Sequence, residues 1–84
     1  MNRRQKRRVA IKVARRASRD YLDCRVGKLL RKLKSGDADA QMAFYAAAED
    51  EAVDAGIDID FDFITQLFEL ILELIEALRR IFNW

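Results

Sequence analysis

Residues 61–82 read FDFITQLFELILELIEALRRIF, and within them Gln66, Glu69, Glu73, Glu76 and Arg80 recur at steps of three or four. At about 3.6 residues per turn this spacing gathers them on one narrow polar face of an α-helix. Nearly every other position is Phe, Ile or Leu. The apolar arc is wider than the stripe of an ordinary surface helix, and such a helix needs neighbours on several sides. A chain of 84 residues makes one small domain and buries only about 60% of its unfolded surface. The sequence therefore predicts that Phe63, Ile64, Leu67, Phe68, Leu70, Ile71, Leu74, Ile75, Leu78, Ile81 and Phe82 serve both the core and a contact between copies, in a homo-oligomer.

A membrane span is a poorer use of the same stretch. Its thirteen Leu, Ile and Phe side chains contribute roughly −6.5 kcal/mol at about −0.5 each, and three mid-helix carboxylates at about +2.5 to +3.5 each cancel that gain. Lying on a bilayer surface is less costly, and Phe82, Trp84 and the Arg79–Arg80 pair suit an interface. The polar face is acidic, however, where surface-bound helices usually carry Lys and Arg. Membrane association is the least favoured partner reading.

Working outward, residues 57–63 (IDIDFDF) alternate apolar and acidic with period two, the pattern of a short half-buried strand. No partner strand is evident, so 57–60 is expected to be an extended connector, with Asp60 or Asp62 capping the helix that follows. Strand pairing across a dimer is the alternative. Residues 38–55 are expected to form an Ala-rich acidic helix with Gln41, Phe44, Tyr45, Ala48, Ala52 and Ala55 on its contact face and Asp50, Glu51 and Asp54 opposite. Gly56 suits its C-terminus, and Ser35-Gly36-Asp37 marks the turn before it.

Residues 1–34 read as a basic helix, with a bend expected in the stretch from Asp20 to Gly27. Arg4, Arg8, Lys12, Arg15 and Arg19 share one face, and Ala10, Val13, Ala14, Ala17 and Tyr21 the opposite one. Beyond them Leu22, Val26, Leu29, Leu30 and Leu33 form a second apolar stripe that continues the basic face, not the Ala face. One straight helix cannot bury both against a single partner. Either it breaks near Gly27, or it is sandwiched between two partners. The expected fold is all-α, a small arrangement of three helical segments.

A net charge of +2 conceals a sharp division. Residues 1–35 hold fourteen Lys and Arg against Asp20 and Asp23, a balance of +12, whereas residues 36–78 hold twelve Asp and Glu with no Lys or Arg, a balance of −12. Arg79 and Arg80 restore the total. The absence of Pro and the abundance of Ala, Leu, Ile, Arg and Glu fit the helical reading. The single Cys24 gives no intrachain disulfide and favours a reducing compartment, a cytoplasmic protein or, for a viral one, a virion component. The opening residues show no secretory signal, and an Arg-rich start resembles a mitochondrial transit peptide only in composition.

Several chemistries are weakly represented. With no His, the commonest general base and metal ligand is missing, so an enzyme is not expected. Glu69, Glu73 and Glu76 share a face in the manner of di-iron bundles, but those sites need Glu-x-x-His pairs. Asp58, Asp60, Asp62 and Glu69 match positions 1, 3, 5 and 12 of a calcium loop, with Phe63 where that loop needs Gly. No cofactor or metal is expected. Cys24 has Arg25 and Lys28 nearby, the setting of a reactive thiol, yet a lone Cys among Leu and Val is more often a small packed side chain.

The basic segment carries the functional expectation. Arg3, Arg4, Lys6, Arg7, Arg8, Lys12, Arg15, Arg16 and Arg19 would set a dense row of cations along one helix, suited to phosphates and counterion release. No aromatic residue interrupts the row before Tyr21, so base stacking is not indicated and binding is expected to follow the backbone, with little sequence preference. The competing use is charge pairing with the acidic segment or with an acidic protein surface, as in an adaptor, inhibitor or assembly subunit. A helical oligomer presenting Arg and Lys to nucleic acid would suit a small accessory or packaging protein, a viral or phage one included.

Overall fold

The computed structural model of the chain describes residues 2–58 and 60–82, and of Phe82 only the backbone. Four α-helices follow in order: α1 (Arg3–Arg16), α2 (Val26–Lys34), α3 (Ala38–Ala55) and α4 (Phe61–Phe82), with a π-helical turn at Ala17–Tyr21 extending α1. Every regular element among the described residues is helical, as the composition predicts. The expected basic helix over 1–34 is in fact two helices.

The division has a local cause. After Arg16 the backbone widens, Leu22 N–H donating to Ala17 O at 3.2 Å and Cys24 N–H to Ser18 O at 2.9 Å. Asp23 then takes a left-handed φ of 47°, a conformation that Asp tolerates better than most residues because its short side chain bonds locally. The break thus falls at Leu22–Arg25, within the expected Asp20–Gly27 stretch, and Gly27 itself lies inside α2. It resolves the two-stripe conflict: the kink lets the Ala face of α1 and the Leu face of α2 turn into one core. Ala10, Val13, Ala14 and Ala17 are buried together with Leu29, Leu30 and Leu33. Tyr21, expected on the inner face, is displaced to the surface by the wider turn.

The other boundaries are chemically explicit. Asn2 and Gln5 form a reciprocal cap at the start of α1, each backbone N–H donating to the other's side-chain oxygen at 2.9 Å. This offsets a first turn that carries Arg3 and Arg4, cations at the positive end of the helix dipole. Asp37 accepts from Ala40 N–H at 3.0 Å and starts α3; Asp60 accepts from Phe63 N–H at 2.7 Å and starts α4. Gly36 and Gly56 sit at φ 79° and 66°. At both, paired i+3 and i+5 backbone bonds close the helix C-terminus in the pattern that a left-handed glycine allows. Residues 61–63 are helical, so the period-two stretch is not a strand there, and neither the strand pairing nor the calcium loop survives. A residue run that is helical from Phe61 to Glu69 cannot curl around an ion. Ile59 lies outside the described residues.

α1 packs against both α3 and α4, and α2 likewise touches both, so the N-terminal half is the wedge between the two acidic helices. The Cα envelope is only 17 Å in its thinnest direction, room for two helix layers at about 8–10 Å between axes. Phe44 of α3 anchors the core; it meets Phe68 of α4 edge-on at 5.8 Å between ring centres. On α3 the buried line is Ala40, Ala43, Phe44, Ala47, Ala48 and Ala52. The expected line is corrected by a rotation: Gln41 and Tyr45 are at its edge and Ala55 is exposed. Small side chains set α3 close to α1, and this close approach decides which Ala residues go inside.

Of the described apolar side chains on α4, only Leu67, Ile71 and Ile75 are fully buried. Phe63, Ile64, Phe68, Leu70, Leu72, Leu74 and Leu78 are packed against the core but remain partly exposed. Phe61 and Ile81 are exposed. Phe82's side chain and Trp84 lie outside what the structure describes. Leu67, Ile71 and Ile75 are thus occupied by the chain's own core, and any contact between copies falls to the flanks.

Candidate nucleic-acid interface

The nine basic residues singled out from the sequence do not act as one set. At about 100° per residue along α1, Ala10, Val13, Ala14 and Ala17 define the buried side, and Arg4, Arg8, Lys12 and Arg15 stand on the side opposite. All four are exposed. Neither their side chains nor that of Arg7 make a hydrogen bond or ion pair with another described residue.

Arg3 and Lys6 prolong the buried line toward the start of α1 and Arg16 lies at its edge, and each is taken by a residue of α3 or α4. Arg3 pairs with Glu73 at 2.5 Å and Lys6 donates to Gln66 Oε1 at 2.5 Å, both on α4. Arg16 bridges to α3, with Nη2 2.5 Å from Asp54 Oδ2 and Nη1 3.4 Å from Glu51 Oε2. The latter contact is an ion pair without hydrogen-bond geometry, since Nη1 is covered and has no hydrogen-bond partner. Hydrogen bonding to Asp54 raises the pKa of Arg16 above its ordinary value, against a smaller opposing effect of burial.

This clamp also answers a local difficulty of α3, whose last turn carries Asp54 and no base. Carboxylates at a helix C-terminus face the negative end of its dipole. The cation that relieves them comes from α1. One turn further, Tyr21 donates its phenol to Asp50 at 2.5 Å, and this bond raises the Tyr21 pKa. Arg19 is held by its neighbour Asp20 at 2.8 Å, which lowers the Asp20 pKa chiefly through that hydrogen bond.

The outward row is therefore Arg4, Arg8, Lys12 and Arg15, flanked by Arg7. From Arg4 to Arg15 it extends for about 16 Å at ~1.5 Å per residue, the length of about five phosphate steps at ~3.4 Å along a strand. The sequence missed the division between outward and clamped cations. Its only signal is angular: Arg3, Lys6 and Arg16 are displaced from the 4-8-12-15 line toward the Ala stripe.

A cleft of about 170 Å³ runs between α1 and α4, lined by Ala10, Ile11, Leu70, Ile71, Leu74 and Ala77, with Arg7 and Glu73 as its charged members. It is smaller than the ~300–1,000 Å³ of ordinary ligand pockets. Among the described residues no group of three or more His, Cys, Asp or Glu is placed to hold a metal. Cys24 is a half-buried thiol packed against the core. No helix of the described residues is long and apolar enough to cross a membrane. Comparison with protein-family models, with curated proteins and with solved structures finds no match to this chain.

Proposed function

We propose that the chain is a non-enzymatic nucleic-acid-binding protein that holds phosphates on the outer face of α1, without reading base sequence. One observation carries this reading. The fold engages Arg3 and Arg16 with carboxylates and Lys6 with the Gln66 amide, yet the side chains of Arg4, Arg8, Lys12 and Arg15 are left outward with no partner among the described residues. Like charges stacked at i,i+4 on a helix cost a few tenths of a kcal/mol per pair, and a bound polyanion removes that cost. The face is made of flexible cations without aromatic side chains, and its one amide, Gln5, is engaged in the α1 cap, which suits phosphate contacts and not base edges.

Binding of the full chain to duplex DNA, single-stranded DNA and RNA over a salt series tests the reading. Four phosphate contacts on duplex DNA give a slope of about −3.6 in log K against log salt, with similar affinities across unrelated sequences. An absence of binding at low salt contradicts it and directs attention to an acidic protein partner, the second use of such a row. Assembly of the protein around nucleic acid, as in a packaging or accessory role, would follow from the same face.

A further inference from the structure

The outer face of α4 carries an acidic row whose spacing matches that of the basic row on α1. Glu69, Glu73 and Glu76 are exposed and step along α4 by four and then three residues; Glu73 also holds Arg3 and Glu76 lies 3.9 Å from Arg79, exposed pairs that a second cation can exchange into. Arg8, Lys12 and Arg15 step along α1 by the same four and three, so two such helices laid side by side in parallel bring all three pairs into register. Each row has an apolar companion: Val9 lies with Gln5, Arg8 and Lys12 in a shallow depression on α1, and Leu72 and Ala77 lie with the three glutamates and Arg80 in another on α4. Within one chain the two rows cannot meet, because α1 packs on α4 through Ala10 and Ile11 and turns its basic row away.

We propose that the basic row of one copy docks on the acidic row of a second copy, head to tail, and that this contact competes with polyanions for the same cations. The occupant is a second copy because both complementary surfaces belong to this chain, with matching spacing and opposite charge. Such a contact uses two different patches, so each copy keeps one of each available and association can continue past a dimer. Exposed ion pairs are individually weak and screened by salt. The association is accordingly of low affinity, and a polyanion, with more charges in a row, displaces it. The competition, though not the docking, rests on the function proposed above.

Sedimentation of the full chain at rising concentration, in low salt and at about 0.5 M salt where the screening length is only a few Å, reads the docking directly. The average mass should climb with concentration in low salt only. Two variants separate the patches: Arg8→Gln/Lys12→Gln/Arg15→Gln removes the basic row, and Glu69→Gln/Glu76→Gln weakens the acidic one. Each alone should stay monomeric, and an equimolar mixture should form a one-to-one pair that grows no further, since each variant supplies the row the other lacks. That complementation also shows that both variants are folded. A wild-type chain that stays monomeric in low salt overturns the proposal, as does a mass that ignores salt, or a mixture that fails to pair. The Glu69→Gln/Glu76→Gln variant should still bind RNA; if it associates normally with RNA but the wild type never self-associates, the docking fails while the nucleic-acid reading stands.

Discussion

Tyr21 and Asp50 tie the π-helical turn to the middle of α3, and the bond has a defined pH dependence. The hydrogen bond to Asp50 raises the Tyr21 pKa, with smaller contributions from desolvation and from the charges of Asp50 and Asp20. A raised pKa means that the stabilisation is complete below the ordinary tyrosine value near ~10 and is lost as pH climbs through the higher folded value. Above that point a phenolate faces two carboxylates. Wild type should therefore lose urea resistance in alkali more steeply than Tyr21→Phe, which has no proton to lose there; parallel loss in both would show that the bond contributes nothing.

Phe44 illustrates how little redundancy the core has. It is the largest of the fully buried side chains, and around it α1 and α3 supply mostly alanines. Truncation to Ala leaves a cavity that neighbouring methyl groups cannot fill. The expected loss is about 3–5 kcal/mol from a total that for such domains is about 5–15. Phe44→Ala should unfold at a far lower urea concentration, whereas Met42→Ala, at an exposed site on the same helix, should barely shift the midpoint.

At the scale of elements, α1 does two jobs with one kind of residue. Its margin cations clamp α3 and α4, and its outer cations contribute only mutual repulsion to the folded chain. Replacing Arg4, Arg8, Lys12 and Arg15 by Gln should leave the melting temperature unchanged or raise it by a few degrees, at about 4–8 °C per kcal/mol for a domain of this size. Arg16→Gln should lower it, because Asp54 and Glu51 then face the α3 C-terminus without a counter-charge. Differential scanning calorimetry of the two variants gives the sign of each effect.

Much of this arrangement is legible in the residues. The spans of α3 and α4, the Asp37 and Asp60 caps and the glycine stops after α2 and α3 follow from capping chemistry and from helical period. The incompatible stripes of residues 3–34 announce a break. Its position follows only to within Asp20–Gly27, because an Asp in a left-handed conformation carries no sequence signature as clear as Gly, and Gly27 is the more obvious breaker. The rotation of α3 was hidden for a related reason: with Ala at eight of its eighteen positions, periodicity distinguishes its faces poorly, and packing against α1 decides. Partner choice among the cations was hidden too, since it depends on where Glu73, Gln66 and Asp54 come to lie.

For the whole molecule, a net charge of +2 describes almost nothing. The basic N-terminal half is wedged between acidic helices that neutralise its margins and leave its outer row uncompensated. The apolar arc of α4 is largely consumed inside the chain, and only its flanks are left for neighbours. What distinguishes this reading from a simple attraction of net charge is the identity of the cations that bind.

The decisive comparison is between two variants that each remove two positive charges: Arg8→Gln/Arg15→Gln from the outer row and Arg3→Gln/Lys6→Gln from the clamped margin. Binding of both to duplex DNA over a salt series should show the outer variant losing about 1.8 from the slope of log K against log salt, with the margin variant close to wild type. Equal losses in the two, or a loss confined to the margin variant, would contradict the assignment of the phosphate-binding face to the outer row of α1.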